Sequence, residues 1–599
     1  FHCTEISIFT VFLISGNKTL SGVVSLYTDI DLSHGFLYHA KVSANRTDGF
    51  TSVFVPEIYM YDNKTLQPIK VTYNTNPPSR HVRNRDDEDF NITMFHTLTW
   101  ERSIKENHNI IGLVGSSYEK FTSRFFDGKI EGFLGNELHV INAGSINPST
   151  NGNFNENYLI GVFGRLNYNY KQKYLFESNL RYDGSSRFSK GNRWGVFPSL
   201  SAGWRLSEEE FLKDFKWLSN LTFRVSHGSL GNERIGNFQY INVFNQQQPY
   251  LFDGNVVQGA AITGYKDPSI SWERTTISNI GLDLFILRNK LDFSAEVYNK
   301  QTLDILRPVN LPSQVGDLNG PLMNIGTVSN KGLELNLTHR NNIKDFIYSL
   351  GAGINYNVNK VEDLNGQIIY SGMFITKEGY PIDSYYIYES DGIFQTQEEI
   401  DNSPFQNIST KPGYLKYKDQ NDDKVIDQDD RIIIGSTIPK YSYSINFDFS
   451  FKNWSLSGLF NGIQGIKTYP RGSMAIPFWF GSSVTEEWRD NSWTPENRNA
   501  RLPIMVPWEL ARNDVFELSD FWLKDASYLR LKNLQFSYSF PKQKIEKIGL
   551  KNLLLFVNGQ NILTISKMKD FDPERNIKLD NYYEYPSVKI YSMGLNVTF

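Results

Sequence analysis

The sequence contains almost no cysteine, with Cys3 the single one among 599 residues. One thiol cannot form a disulfide framework or supply the several thiolates of a structural zinc or iron–sulfur site. The chain also lacks an excess of charge of either sign, since 61 basic and 65 acidic side chains give a formal charge of −4. This balance gives no reason to expect nucleic acid as a partner. Disulfide scaffolds, thiolate metal sites and nucleic-acid binding are therefore not expected.

Long apolar runs are also missing. The best candidate, residues 6–14, is short and contains Thr10, whereas a membrane-spanning helix needs ~18 consecutive apolar residues. This excludes a helical membrane protein. The negative mean hydropathy does not separate a soluble protein from a membrane β-barrel, because lipid-facing and lumen-facing residues alternate along barrel strands and their averages cancel. The chain begins with Phe1 and has no secretion signal, so we interpret it as a fragment.

Aromatic residues are abundant, at 14% of the chain, and strands favour them. Apolar and polar side chains alternate with a period of two residues in segments such as 174–183, 291–297, 333–338 and 443–451. This period predicts strands with one apolar and one polar face. The charged residues that the alternation assigns to the polar face, and hence to a barrel lumen, are Glu177, Arg181, Asp292, Glu296 and Asp448.

The spacing of these segments predicts about 17 strands of about 11 to 15 residues, long enough to cross a bilayer and protrude. Short and long connections alternate along the chain. Short links are predicted at 47–49, 105–107, 171–173, 288–290, 341–344 and around 453, and long loops at 62–89, 119–156, 232–273, 305–328, 360–439, 466–525 and 564–586. Tight turns at one rim and large loops at the other are typical of an all-β, antiparallel, up-and-down transmembrane barrel.

Two other classes of protein remain as alternatives. A secreted or surface all-β carbohydrate-binding or adhesin protein would also be rich in strands, and the apolar last strand, residues 591–599, could be a core strand of such a protein. A secreted all-β glycoside hydrolase is the enzyme alternative. The chain has no phosphate-binding loop and no nucleophile elbow, and its carboxylate pairs are too numerous to identify a glycosidase. We therefore predict no catalytic residues and no enzyme.

The segment FESNLRYDGSSRFSKGNRWGVFPSLSAGWRLSEEEF, residues 176–211, resembles the mid-barrel signature of the SusC/RagA family of TonB-dependent outer-membrane transporters. Further similar stretches are GFLGNELHVINAGS (132–145), MNIGTVSNKGLELNL (323–337), SWTPENRNARLP (492–503), ASYLRLKNLQFSYSFP (526–541) and NGQNILTISKMKDFDPE (558–574). The resemblance covers the chain from about residue 90 onward, and it leads us to predict the barrel portion of such a transporter.

The resemblance implies a 22-stranded barrel preceded by a plug domain with a TonB box. We find no plug signature, so residues 35–599 are predicted to be a partial receptor-type barrel and residues 1–34 are left unassigned. The family further implies a location in the bacterial outer membrane, in contact with lipid, and import of oligosaccharides or peptides. Its implied partners are a SusD-like lipoprotein and the TonB–ExbB–ExbD complex, reached through the plug domain that we predict to be missing here.

One acidic segment has the spacing of a calcium loop. Its candidate ligands are Asp419, Asn421, Asp423, the backbone carbonyl of Val425, Asp427 and Asp430. Calcium requires six or more oxygen ligands, which a tight loop of this spacing supplies. Lys424 replaces the usual glycine, and Asp430 is shorter than the usual glutamate. A structural Ca²⁺ in an extracellular loop and a solvated acidic turn are equally favoured, and we predict no other cofactor.

The predicted long loop at 466–525 is rich in aromatic residues. The candidates for contact with a ligand or partner are Tyr469, Trp479, Trp488, Trp493 and Trp508. Amphipathic rings beside charged residues suit stacking on sugars or contact with another protein. The alternative, favoured for any single tryptophan, is that these rings pack the loop against its neighbours.

Overall fold

The structure is a computed structural model. It describes residues 7–14, 18–55, 58–61, 68–71, 80–262, 264–309, 311, 314, 320–472, 475–479, 483–511, 514–569, 571–574 and 587–599. Cys3 lies outside these residues. The helices are short: α1 (Gln397–Asp401), α2 (Glu486–Asn491), α3 (Trp508–Ala511) and α4 (Lys542–Ile545). None of the described helices is long and apolar enough to cross a membrane.

Strands make up most of the described chain. The first are β1 (Ser7–Ile14), β2 (Lys18–Asp31), β3 (Phe36–Val55), β4 (Ile58–Tyr61), β5 (Pro68–Val71), β6 (His81–Ile104), β7 (His108–Glu131), β8 (Ile146–Tyr170), β9 (Tyr174–Ser185), β10 (Trp194–Arg205) and β11 (Leu218–Asn232). Next come β12 (Phe244–Phe252), β13 (Asn255–Ile262), β14 (Glu273–Ile286), β15 (Leu291–Leu303), β16 (Leu306–Pro308), β17 (Leu322–Asn324), β18 (Thr327–Ile343), β19 (Phe346–Asp363), β20 (Ile369–Ser371) and β21 (Phe374–Thr376). The last are β22 (Ser384–Tyr388), β23 (Ser390–Ile393), β24 (Leu415–Tyr417), β25 (Arg431–Ile433), β26 (Tyr441–Phe451), β27 (Trp454–Gln464), β28 (Lys467–Thr468), β29 (Lys524–Asp525), β30 (Tyr528–Ser539), β31 (Asn552–Ser566) and β32 (Ile590–Thr598).

Unit 1 comprises residues 1–202, 227–275 and 304–324. Within it, β1, β2, β3, β6, β7, β8 and β9 each pair antiparallel with the next strand in that order. Strands β6 and β7 have 24 residues each, which corresponds to about 80 Å of extended chain. Only ~9 to 11 residues are needed to cross hydrocarbon, so these strands also extend beyond it.

The short links predicted at 105–107 and 171–173 are confirmed. In the first, Lys105 and Glu106 have φ values of 50° and 57°. Positive φ at both central positions is the property of a type I′ hairpin turn, whose twist matches that of the flanking strands. The links predicted at 288–290 and around 453 also lie between consecutive strands.

Other predicted connections were wrong. Residues 47–49 lie inside β3, and the turn before this strand is at 32–35. Much of the predicted loop at 119–156 belongs to β7 and β8, so these strands exceed the predicted 11 to 15 residues. The extension of β8 is mostly polar, and in the extension of β7 apolar residues such as Phe125 and Phe126 lie on both faces, so neither shows the alternation. Both extensions are held by hydrogen bonds between neighbouring strands. The link predicted at 341–344 is shifted to 344–345.

Unit 2 comprises residues 203–226, 276–303 and 325–599. Strands β15, β18, β19, β26, β27, β30, β31 and β32 each pair antiparallel with the next in that order. Strands β10, β11 and β14 have residues in both units. The number of long strands is close to the predicted 17 or so. Two of the strands, β1 and β2, lie within residues 1–34, which the sequence left unassigned.

The long strands expose their apolar face. On β9, Leu180 and Tyr182 are 52% and 45% exposed, whereas Asp183 on the other face is 9% exposed. On β19, Ile354 is exposed and Asn359 is buried. This is the reverse of the distribution in a soluble protein. Rows of exposed apolar side chains require a non-aqueous neighbour, as on the lipid face of a membrane barrel.

Candidate functional site

The polar face of β9 carries two of the predicted lumen residues. Arg181 donates hydrogen bonds of 3.0 and 2.9 Å to the two carboxylate oxygens of Asp183. Asn179 donates to Oε1 of Glu177 over 2.7 Å. Because these side chains are spaced by two residues, they share the face opposite the exposed apolar row. The face therefore presents neutralised ion pairs and amides rather than free charge.

The same arrangement recurs on β15. Asp292 forms an ion pair with Arg340, and Glu296 forms one with Arg224. Asp448 lies on β26 and is exposed. All of the predicted lumen residues thus lie on the polar faces of their strands, as the alternation indicated. Their assignment to a lumen stays a prediction.

The long connections of unit 2 contain the largest buried apolar cluster that the structure describes, which we call the loop core. Its buried members are Met373, Tyr385, Ile387, Tyr388, Tyr414, Leu415, Tyr417, Tyr469, Ile476, Trp488, Leu502, Val515, Phe516 and Trp522. The N-cap of α2 positions one of these residues, Trp488. Thr485 Oγ1 accepts a 3.4 Å hydrogen bond from the backbone N–H of Trp488 at the start of this helix. The indole Nε1–H of Trp488 donates to the carbonyl of Ala475 over 2.9 Å. The loop is therefore packed like a small domain.

Burial separates the five aromatic candidates into two groups. Tyr469, Trp488 and Trp493 are only 3–5% exposed, so they pack inside the loop. Trp479 and Trp508 are partly buried and contact each other, with ring centroids 4.6 Å apart. Only this second pair has surface left for another molecule. A role of the five residues in ligand or partner contact stays a prediction.

The candidate calcium loop is folded by hydrogen bonds from backbone N–H groups to its acidic side chains. Asp419 accepts from Asp422 and Lys424, over 2.7 and 2.8 Å. Asp423 Oδ1 accepts from Val425 over 2.8 Å. These bonds draw the chain into consecutive tight turns, as a cation-binding loop requires. A carboxylate oxygen that accepts an N–H can still coordinate an ion through its second lone pair.

Asp430 differs from the other candidate ligands in its burial. It is fully buried, and its two oxygens accept from the backbone N–H groups of Gln420 and Asp427, over 2.7 and 2.9 Å. This residue closes the base of the loop. No cluster of three or more His, Cys, Asp or Glu side chains able to hold a metal occurs among the described residues. Calcium binding stays a prediction, with the candidate ligands Asp419, Asn421, Asp423, Val425, Asp427 and Asp430.

Two buried charged groups were not identified from the sequence. Asp514 lies in the loop, where its Oδ2 accepts from the hydroxyl of Thr410 over 2.8 Å. Burial raises the pKa of Asp514 to about 6. The hydroxyl of Tyr417 donates to the backbone carbonyl of Asp514 over 2.5 Å. The loop core therefore contains a carboxyl group that titrates near neutral pH.

The second group is Arg530, which is 3% exposed and lies near the start of β30. It donates to Asp572 over 2.5 Å and to Glu574 over 2.7 Å. Burial opposes ionisation of Asp572, but hydrogen bonds from the backbone of Glu574 and from Arg530 lower its pKa to about 2. This cluster attaches residues 572–574 to the strand. The acidic pair lies in the segment 558–574 that carried the family resemblance, but nothing in that segment indicated burial.

Comparison with known proteins gives consistent matches. A family model described as "TonB dependent receptor-like, beta-barrel" matches residues 14–562. TonB-dependent receptor P3 of Formosa agariphila is 30% identical over 529 residues, covering 84% of this chain and 52% of that protein. TonB-dependent receptor SusC of Bacteroides thetaiotaomicron is 30% identical over 476 residues, covering 74% of this chain and 44% of that protein. The chain therefore spans about half the length of the curated relatives it matches.

A solved structure of the RagAB peptide transporter superposes with a TM-score of 0.81. The match covers 97% of this chain and 62% of that chain, with 23% sequence identity. At this identity the likeness shows a common fold, and nothing about substrate follows from it.

Proposed function

The chain belongs to the family of TonB-dependent receptor β-barrels, and from this premise we propose that it imports oligosaccharides or peptides across the outer membrane. The family places the chain in the bacterial outer membrane, and we propose that its exposed apolar rows face lipid there. The chain is a transport receptor and not an enzyme. The alternative of a secreted adhesin or carbohydrate-binding protein is thereby set aside.

The observation that carries this proposal is that the long strands expose their apolar face, which is the reverse of the distribution in a soluble protein. Side chains such as Leu180 and Ile354 are exposed on one face, and ion-paired or amide side chains occupy the other. A wall of this kind places apolar groups in hydrocarbon and offers polar groups to a hydrated solute. The ion-paired and amide side chains of β9 and β15 can then guide a polar substrate without holding it through free charges.

In this proposal the protein binds its substrate and gates the passage of that substrate across the outer membrane. A SusD-like lipoprotein would close over the long loops, and the TonB–ExbB–ExbD complex would supply energy through a plug domain. The proposal keeps both substrate classes, because the likeness to the RagAB peptide transporter shows only a common fold. The loop core packs the long connections of unit 2 together, and we propose that the surface of these connections holds a partner and a substrate.

Uptake by the native bacterium tests the proposal. Deletion of the complete gene should abolish uptake of fluorescently labelled oligosaccharides or peptides, and the intact gene supplied in trans should restore it. A protonophore should stop uptake in the complemented strain, because TonB acts through the proton gradient. Unchanged uptake of both classes of substrate in the deletion strain would contradict the proposal.

The partner is tested separately. The full-length protein, affinity-tagged and extracted in detergent from outer membranes, should retain a lipoprotein of the SusD type. An unrelated tagged outer-membrane barrel from the same cells is the control. Recovery of the tagged protein alone, under conditions that keep other outer-membrane complexes intact, would contradict the partnership.

A further inference from the structure

Four neighbouring strands of unit 2 carry a row of small and uncharged residues on their polar face. Asn336 on β18 is opposite Gly353 on β19, Gly353 is opposite Ser444 on β26, and Ser444 is opposite Asn461 on β27. Directly opposite residues of antiparallel strands share a face. The row therefore crosses the polar face at right angles to the strands.

Gly353 leaves a gap in this row. A Cβ atom at this position would lie 2.7 Å from Oδ1 of Asn336 and 3.2 Å from Oγ of Ser444. The gap is the floor of a recess of about 200 Å³, whose lining also includes Glu334 and Asn355. Sites for complete drug-sized ligands measure ~300 to 1,000 Å³. This recess therefore has room for a single unit of a longer polar chain.

The polar groups around the recess are largely uncommitted. Within the described part of the chain, the side chains of Ser442, Ser444 and Asn461 make no hydrogen bond. Asn336 makes a long contact of 3.5 Å to the hydroxyl of Ser294. Amides and hydroxyls both donate and accept hydrogen bonds. The recess therefore offers both kinds of partner to a ligand that itself has hydroxyl groups.

A tyrosine ring is fixed beside the recess. The hydroxyl of Tyr298 donates to the side-chain oxygens of Asn355 and Asn357, over 3.3 and 3.1 Å. The ring lies over Gly332, where any Cβ would collide with it. Asn355 also lines the recess, so the ring and the amide row are adjacent. An aromatic ring next to amides and hydroxyls suits a sugar, which has an apolar ring face and a polar edge.

We propose that this surface, which we call the amide patch (Tyr298, Asn336, Asn355, Ser442, Ser444 and Asn461), binds one sugar unit of a neutral oligosaccharide. The inference rests on the proposed transport function and selects one of its two substrate classes. Among the described residues that line the recess, Glu334 is the single charged one. It repels acidic glycans, and the lining offers no cation to the terminal carboxylate of a peptide.

Titration calorimetry on the full-length receptor, purified in detergent from native outer membranes, tests the proposal. The probes are neutral hexasaccharides of α-glucan, β-glucan, xylan and mannan, a hexamer of galacturonate, and a tryptic digest of casein. We expect a neutral oligosaccharide to bind and the galacturonate hexamer and the peptides not to bind. Ser444→Ala combined with Asn461→Ala should weaken that binding about tenfold or more, because two hydrogen bonds are lost.

The matched control is Ser450→Ala combined with Ser455→Ala. These two hydroxyls contact each other over 3.2 Å on the same two strands and the same face, away from the recess. Binding should be unchanged in this control. Gly353→Ala, which fills the recess with a single carbon, should also weaken binding, and thermal unfolding of each variant checks that it is folded.

Three results would overturn the inference. The first is that no neutral probe binds, and the second is that peptides or the galacturonate hexamer bind better than every neutral probe. The third is that the variant with both Ser444→Ala and Asn461→Ala binds like the parent protein. A variant that is folded but less stable, with unchanged sugar affinity, would assign the patch to contacts within the receptor and would also overturn it. These results leave the transport proposal intact if the deletion strain loses peptide uptake. Failure of the transport proposal would instead be seen as unchanged uptake of both substrate classes in the deletion strain.

Discussion

The buried carboxyl group of Asp514 gives the loop core a stability that depends on pH. Its folded pKa is raised from 3.8 to about 6, chiefly by burial, and each pKa unit corresponds to ~1.4 kcal/mol. A carboxyl with a raised folded pKa favours folding in its protonated form. The contribution of Asp514 to the stability of the loop core is therefore greatest below pH 3.8, and up to about 3 kcal/mol of it is lost as pH rises through the folded pKa.

Asp514→Asn removes this dependence. The amide oxygen of asparagine can still accept the hydrogen bond from Thr410, while the charge that becomes buried at neutral pH is absent. At neutral pH we expect the variant to stabilise the loop core by up to about 3 kcal/mol. Hydrogen exchange of peptides from residues 483–525 of the full-length receptor, read by mass spectrometry and corrected for intrinsic exchange, measures the change between about pH 4 and about pH 7.

Asp490→Asn is the matched control, because Asp490 lies in the same loop but is exposed and paired with Arg489. Its exchange should follow the pH dependence of the parent protein. The reasoning is refuted if the exchange rate of the parent protein, corrected for intrinsic exchange, does not increase as the pH rises. It is equally refuted if Asp514→Asn lowers protection at neutral pH, since the carboxylate would then be a favourable member of the loop core.

Three further outcomes are expected. Arg530→Met leaves the buried Asp572 without its cation, whereas Glu574 keeps its ion pair with Lys532, and the variant should be destabilised by ~3 to 5 kcal/mol in denaturant unfolding; neutralising Asp572 in the same variant should restore part of the loss. Leu180→Arg puts a cation on the lipid face and should cost ~2 to 4 kcal/mol, seen as less heat-modifiable protein in the outer membrane, whereas Asn179→Arg on the polar face should insert normally. Added Ca²⁺ should raise the melting temperature, and an unchanged response after Asp419→Ala plus Asp423→Ala would count against the calcium site.

Much of the fold could be predicted because the relevant signal is local. Alternation places Leu180 and Arg181 on opposite faces whatever surrounds the strand. The short turn at 105–107 is likewise set by its neighbours in sequence. The extensions of β7 and β8 escaped prediction because neither has one apolar and one polar face: the extension of β8 is mostly polar, and the extension of β7 has apolar residues on both faces. Their strand conformation depends on pairing with neighbouring strands, and the sequence of a single segment does not show this.

The candidate sites were less predictable, for the same physical reason. Burial of Trp488 and Trp493 depends on loop segments that are distant in sequence, and the period of the sequence does not encode it. The amide patch was also missed, because its members are ordinary polar residues on five different strands. Only the register brings Asn336, Ser444 and Asn461 into one row.

The sequence by itself determined the strand-rich architecture, the apolar and polar faces, and the family. These follow from side-chain periodicity and from contiguous motifs, which need no long-range contact to be recognised. Tertiary structure alone decided which aromatic residues are buried, why Asp514 and Arg530 lie in contrasting environments, and where a polar recess opens. Each of these depends on desolvation or on pairing between residues far apart in the chain, and both are properties of the folded protein.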